Sequence, residues 1–96
     1  MKYKLPSISC YGQYSNPQYG INSLVVKLPN ITIYFSYNTV VAFETIREGL
    51  VIRKNDWGTT TGKHLNWINR NKNLRITSDE FNTKLQTVLN KLNIEL

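Results

Sequence analysis

The sequence predicts an α+β fold: a mainly antiparallel β-meander of four to five strands, with an amphipathic C-terminal helix packed on one face. Two patterns carry this expectation. Between residues 23 and 54, short apolar segments alternate with polar residues at a period of two and are separated by turn formers, as half-buried strands joined by short connections require. Between residues 77 and 93 the apolar residues recur instead at a period near 3.6, behind a helix-start signal. At 96 residues the chain suits one small domain with one modest core.

Residues 1–22 show neither period. Tyr11, Tyr14 and Tyr19 stand among Gly, Ser, Asn, Gln and Pro, so this stretch reads as an irregular, Tyr-rich N-terminal segment. Tyr14 and Tyr19 are candidate contact residues, because tyrosine offers a large amphipathic surface at low entropic cost while small polar neighbours adjust around it. The competing reading lays the rings on the core edge with their hydroxyls in water.

The meander occupies residues 23–54. Leu24, Val26 and Leu28 alternate with Val25 and Lys27, and Ile31, Ile33, Phe35 and Tyr37 alternate with Thr32, Tyr34 and Ser36. Pro29 presets φ for the first central position of a connecting turn, and Asn30 tolerates the positive φ that a type II turn needs at the second. Thr39–Phe43 is short and β-branched, a third strand; polar Glu44–Glu48 and Gly49 then lead into a fourth, Leu50–Arg53.

Residues 55–76 read as a glycine-hinged basic loop region. Within it His64–Ile68 makes one helical turn with Leu65 and Ile68 inward, and Leu74–Ile76 adds a last short strand. The helix follows over residues 77–93. Thr77-Ser78-Asp79-Glu80 is a capping box, Ile76 and Phe81 are placed as its hydrophobic staple, and Phe81, Leu85, Val88, Leu89 and Leu92 form one stripe. Burying those five side chains at about 1.5 to 3 kcal/mol each makes this helix the main partner of the sheet.

Charge narrows the partners. Twelve Lys and Arg stand against six Asp and Glu, and the excess lies in the middle: residues 42–76 hold seven cations and three acids. A net +6 on so short a chain favours polyanions or acidic protein surfaces. Cys10 is the single cysteine, so neither an intramolecular disulfide nor a thiolate metal site is available. The N-terminus lacks the apolar run of a signal peptide, and no segment reaches the roughly 20 apolar residues of a membrane span. The expectation is a soluble protein of the cytoplasm, monomer or homodimer, without cofactor or metal.

The stretch Asn55–Trp67 holds both tryptophans and the only histidine. Gly58-Thr59-Thr60-Thr61-Gly62-Lys63 superficially suggests a phosphate loop, but the Walker pattern needs four residues between its glycines and Ser or Thr after the lysine. Here there are three, and His64 follows. A meander of this length also leaves no room for the βαβ sheet of such an enzyme. A weaker anion site remains conceivable, with the amides of Gly58 and Gly62 turned outward beside Lys63. The alternative gives both glycines to a turn with positive φ and leaves Lys63 solvated.

His64 is the one side chain with an ordinary pKa near neutrality, so metal-independent RNA cleavage is one reading, with Arg53, Lys54 or Arg75 stabilising the charge that develops on phosphate. No second histidine supplies the acid, which argues against it. One of Trp57 and Trp67 is expected to plug the core and the other to be partly exposed, as a stacking platform or an interface anchor. The binding candidates are Arg53, Lys54, Trp57, Lys63, His64, Arg70, Lys72 and Arg75, together with Tyr14 and Tyr19.

Four blocks in this order, Tyr19-Gly20-Ile21-Asn22-Ser23, Phe35-Ser36-Tyr37-Asn38-Thr39-Val40-Val41-Ala42-Phe43, Asn55-Asp56-Trp57-Gly58 and Thr60-Thr61-Gly62-Lys63-His64-Leu65-Asn66, resemble a family of short uncharacterised proteins encoded by phages and other mobile elements. The resemblance spans roughly residues 10 to 90. It carries no catalytic or binding residue across. It implies an accessory gene of the kind that often encodes inhibitors of host defence, anti-CRISPR proteins among them, which act by binding. The functional expectation is therefore a non-enzymatic inhibitor of a host defence ribonucleoprotein, acting in the host cell on a protein or nucleic-acid surface. The alternatives are a sequence-tolerant RNA- or DNA-binding protein and, third, a small ribonuclease.

Overall fold

The computed structural model describes residues 6–12 and 21–95. Six strands form one sheet whose order follows the chain: β1 Ser7–Cys10, β2 Leu24–Lys27, β3 Thr32–Ser36, β4 Thr39–Thr45, β5 Gly49–Arg53 and β6 Arg75–Ile76. Among the described residues two α-helices pack on it, α1 Thr59–Ile68 and α2 Ser78–Leu92, and a short 3₁₀ turn spans Lys72–Leu74. The α+β class and the C-terminal helix are as expected; the sheet is larger and mixed. Its first four pairings are antiparallel, but β6 runs parallel to β5, pairing Arg75 with Ile52 and Ile76 with Arg53. β5, α1 and β6 therefore make one βαβ crossover, for which the meander expectation left no room.

Three further differences have local causes. β1 lies inside the N-terminal stretch expected to be irregular; all four of its residues are exposed, so it is held by ladder bonds to β2 and carries no apolar alternation to announce it. The segment 55–76 is not a loop hinged on glycine: Gly62 lies inside α1, and its amide bonds the carbonyl of Gly58 at 3.2 Å. A Cβ at Gly62 would stand 3.1 Å from Asn55 Nδ2, so a larger residue would push that amide by a few tenths of an ångström against its bond to the Gly58 carbonyl. Finally, Asn30 does not take positive φ; among the described non-glycine residues only Tyr37 and Asn93 do.

The sheet buries both faces. Toward α2 lie Ile31, Ile33, Phe43 and Val51, packed with Phe81 and Leu89. Toward α1 lie Val41, Ala42 and Ile52, packed with Leu65 and flanked by Tyr34, Leu50 and Ile68. One irregularity lets β4 serve both. Tyr34 pairs with Ala42 and Phe35 with Val40, so Val41 is an extra residue in a β-bulge. Val40 and Phe43 consequently face α2, while the consecutive Val41 and Ala42 both face α1.

Helix α2 begins as its sequence specifies. The Thr77 hydroxyl accepts the Glu80 amide at 3.3 Å, although Glu80 returns the contact to that hydroxyl and not to the Thr77 amide. It ends with Asn93 at φ 56 in the left-handed region, where the Ile94 amide reaches back to the Leu89 carbonyl at 3.0 Å and Ile94 joins the core. Among the described residues no helix is long and apolar enough to cross a membrane.

Candidate nucleic-acid interface

Helix α1 decides where the charged and aromatic residues of the middle segment point. Three threonines and an interior glycine give it poor intrinsic propensity, and its N-cap, Gly58, offers no side-chain hydrogen bond. It is held by packing. Thr61, His64 and Leu65 are buried against the sheet, with Ile68 half-buried one turn on. That register sends the intervening positions outward.

The inward face contains a polar latch. Ser36, at the end of β3, places its hydroxyl 3.0 Å from the Thr61 hydroxyl and 2.7 Å from His64 Nδ1. The His64 ring is fully buried, between Tyr11 at 6.1 Å and Tyr37 at 5.8 Å between ring centroids. Burial pushes its pKa below the ordinary value. His64 is thus placed inside the fold and not on a binding surface, and its imidazole does not reach a substrate in solvent. Since the folded state resists protonation and the unfolded chain does not, the neutral ring's contribution to stability is complete above about pH 6.5 and is lost as pH falls below it. The urea midpoint should drop between pH 7.5 and 5.5, and His64→Asn, which keeps a polar atom near Ser36, should flatten that slope while lowering the midpoint overall.

Arg53 also differs from expectation. It is only 7 % exposed, its guanidinium lies 4.5 Å from the Trp57 ring centroid and 5.5 Å from that of Phe81, and its Nη2 contacts Asp56 Oδ2 at 3.2 Å. The strand periodicity that turns Ile52 toward α1 turns Arg53 toward α2, where it caps the core instead of offering charge to phosphate. Trp57 is fixed from the other side by Asn55, which accepts the Trp57 amide at 2.9 Å and donates to the Gly58 carbonyl at 3.1 Å. Neither tryptophan plugs the core: Trp57 is 44 % and Trp67 41 % exposed.

The outward face is where the remaining candidates meet. Lys63, Asn66 and Trp67 fall at i, i+3 and i+4 on the helix and, with Arg70 just past the extended C-cap Asn69, line one surface depression of about 230 Å³. Behind it the asparagine-rich turn is stiffened by two successive side-chain turns: Asn69 accepts the Asn71 amide at 2.8 Å and Asn71 accepts the Asn73 amide at 3.0 Å. Arg75 straps this turn to the helix, donating to Asn66 Oδ1 at 2.9 Å and to the Asn69 carbonyl at 3.4 Å, and burial lowers its pKa. Arg75 is therefore a bracing residue. Lys72 is exposed on the 3₁₀ turn, and exposed Lys54 lies across the β5–β6 end, its amide bonded to the Ile76 carbonyl at 2.8 Å. No acidic residue occurs between Trp57 and Ser78, so the charges of the segment that lines this face are all positive.

The anion site expected from Gly58 and Gly62 is not formed, because the Gly62 amide is spent on the helix ladder. Tyr14 and Tyr19 lie outside the described residues. Most of the signal that could have found the depression was in the sequence: Lys63, Asn66 and Trp67 have helical spacing complementary to Thr61, Leu65 and Ile68. Reading residues 55–76 as a loop hid it.

The chain belongs to a family of unknown function, DUF8033, whose model matches residues 7–83. No curated protein and no solved structure matches it.

Proposed function

We propose that this family member is a non-enzymatic binding protein whose α1 outer face holds a nucleic-acid strand. The observation that carries the reading is the exposed Trp67 set between Lys63 and Arg70 in one depression, on a stretch without acids. A base stacked on the indole contributes about 1 to 3 kcal/mol, and the two cations suit flanking phosphates. Neither kind of contact reads sequence, so the affinity this face contributes is sequence-tolerant. Burial of His64, the one candidate general base, supports a role without catalysis.

The resemblance to phage and mobile-element accessory proteins suggests the setting: inhibition of a host defence ribonucleoprotein, in the manner of an anti-CRISPR, by occupying its guide or target strand in the host cytoplasm. Fluorescence anisotropy with a labelled ten-nucleotide single strand tests the binding. Affinity should fall steeply as salt rises, and Trp67→Ala should weaken it about tenfold. A salt-independent response, or none, contradicts the reading. RNA cleavage by the purified protein that disappears in His64→Ala would replace it with the ribonuclease.

A further inference from the structure

A second feature lies at the other end of α1, where β5 hands the chain to the crossover. A cleft of about 150 Å³ opens there, lined by Ser36, Tyr37, Thr39, Val41, Trp57 and Thr61. A cavity of this volume accommodates one benzene-sized ring. A purine's second ring would take up most of the remaining space, so a one-ring pyrimidine is the easier fit.

The lining has two kinds of group. Trp57 and Tyr37 supply aromatic surface and are both partly exposed, at 44 % and 50 %. The indole is already set in place by the Arg53 guanidinium on its ring and by Asn55 on its backbone. Tyr37 is the first of two residues in the β3–β4 hairpin turn and has φ +54. Glycine is the usual occupant of such a position, since a bulky side chain there is strained by about 1 kcal/mol or more. The Tyr37 ring packs on one side against His64 and presents its exposed remainder at the mouth of the cleft.

The hydroxyls supply the polar part. Ser36 is engaged by Thr61 and His64, but Thr61 makes one such contact with Ser36 and Thr39 lies beside it on β4. A hydroxyl can donate once and accept twice. Both threonines can therefore still meet the ring nitrogen and carbonyl edge of a base.

We propose that this cleft takes the base of one unpaired pyrimidine nucleotide, stacked against the Tyr37 and Trp57 rings with its polar edge on Thr39 and Thr61. The proposal rests on the nucleic-acid reading of the α1 face and makes it more specific: the strand is single, because a base must leave its stack to lie against both rings, and a duplex allows that only by extruding a nucleotide.

The test compares ten-nucleotide oligo(dT) and oligo(dA), which carry the same charge, at one salt concentration. The wild-type chain should bind oligo(dT) about tenfold more tightly. Oligo(dA) is also the stiffer strand, so the decisive variant is Tyr37→Gly, which removes the ring and relieves the positive φ at once. It also removes a ring that packs on His64, so it should melt somewhat lower than wild type while, in its folded form, binding both strands alike. Thr39→Val, of similar volume without the hydroxyl, should reduce the preference as well. Equal wild-type affinity for both strands, or a preference that survives Tyr37→Gly, overturns the cleft. If binding is weakened by Lys63→Glu but not by Tyr37→Gly, the α1 face stands and the cleft alone fails; if neither strand binds, both readings fail.

Discussion

Phe81→Ala should lower the stability of the protein by about 3 to 5 kcal/mol, measured as the extrapolated free energy of urea unfolding. That is a large share of the roughly 5 to 15 kcal/mol a domain possesses, and a mostly unfolded variant at 37 °C is the expected result. Phe81 is the first apolar residue after the α2 capping box, is fully buried, and lies 5.6 Å from the Phe43 ring, itself without exposure. Truncation would open a void beneath Phe43 and remove the ring on which Arg53 rests. That guanidinium would then stand over a cavity with Asp56 as its ion-pair partner. Leu85→Ala, on the same helix at a half-buried position, should cost clearly less. Equal losses for the two variants would mean that the α2 core is not organised around Phe81.

The second large effect concerns binding. Reversing both exposed cations of the α1 face, in Lys63→Glu with Arg70→Glu, should lower affinity for a ten-nucleotide single strand roughly a hundredfold at about 50 mM salt. It should also reduce the slope of log K against log salt by about 0.7 for each phosphate that is no longer neutralised. Both side chains are exposed, so the fold should be unchanged. Arg53→Gln is the informative contrast. Arg53 is buried beneath Trp57 and paired with Asp56, so its removal should cost stability and leave the salt slope almost as it was.

Which parts of this arrangement were legible in the sequence follows from how locally each is encoded. Helix α2 was, because Thr77, Glu80 and the stripe from Phe81 to Leu92 act within one element. Strands β2 to β5 were, because alternation and turn residues mark half-buried strands. Helix α1 was visible only as a turn: Thr59 to Thr61 and Gly62 speak against a helix locally, and contacts made by Leu65 and Thr61 with distant strands override them. The bulge at Val41 was hidden in a run of four apolar residues, where either face accepts any of them. β1 owes its existence to its neighbour more than to its own side chains, whereas β6 was legible as the short strand expected at Leu74–Ile76, though its parallel pairing was not.

The candidate site divides along the same line. Its composition, cations with tryptophan, could be read directly. Its geometry could not, because the face each residue takes depends on a helix register and a strand parity fixed by distant packing. Hence His64 and Arg53, polar and suggestive in sequence, are inside, while Lys63, Trp67 and Arg70 are gathered outside.

The α1 outer face is most directly tested by following the amide and indole resonances of the ¹⁵N-labelled protein as a ten-nucleotide single strand is added in low salt. The account predicts that the largest shifts fall on Lys63, Asn66, Trp67 and its indole N–H, and Arg70, with α2 nearly silent. Shifts confined to α2 or the β1 edge, or none at all, would contradict it.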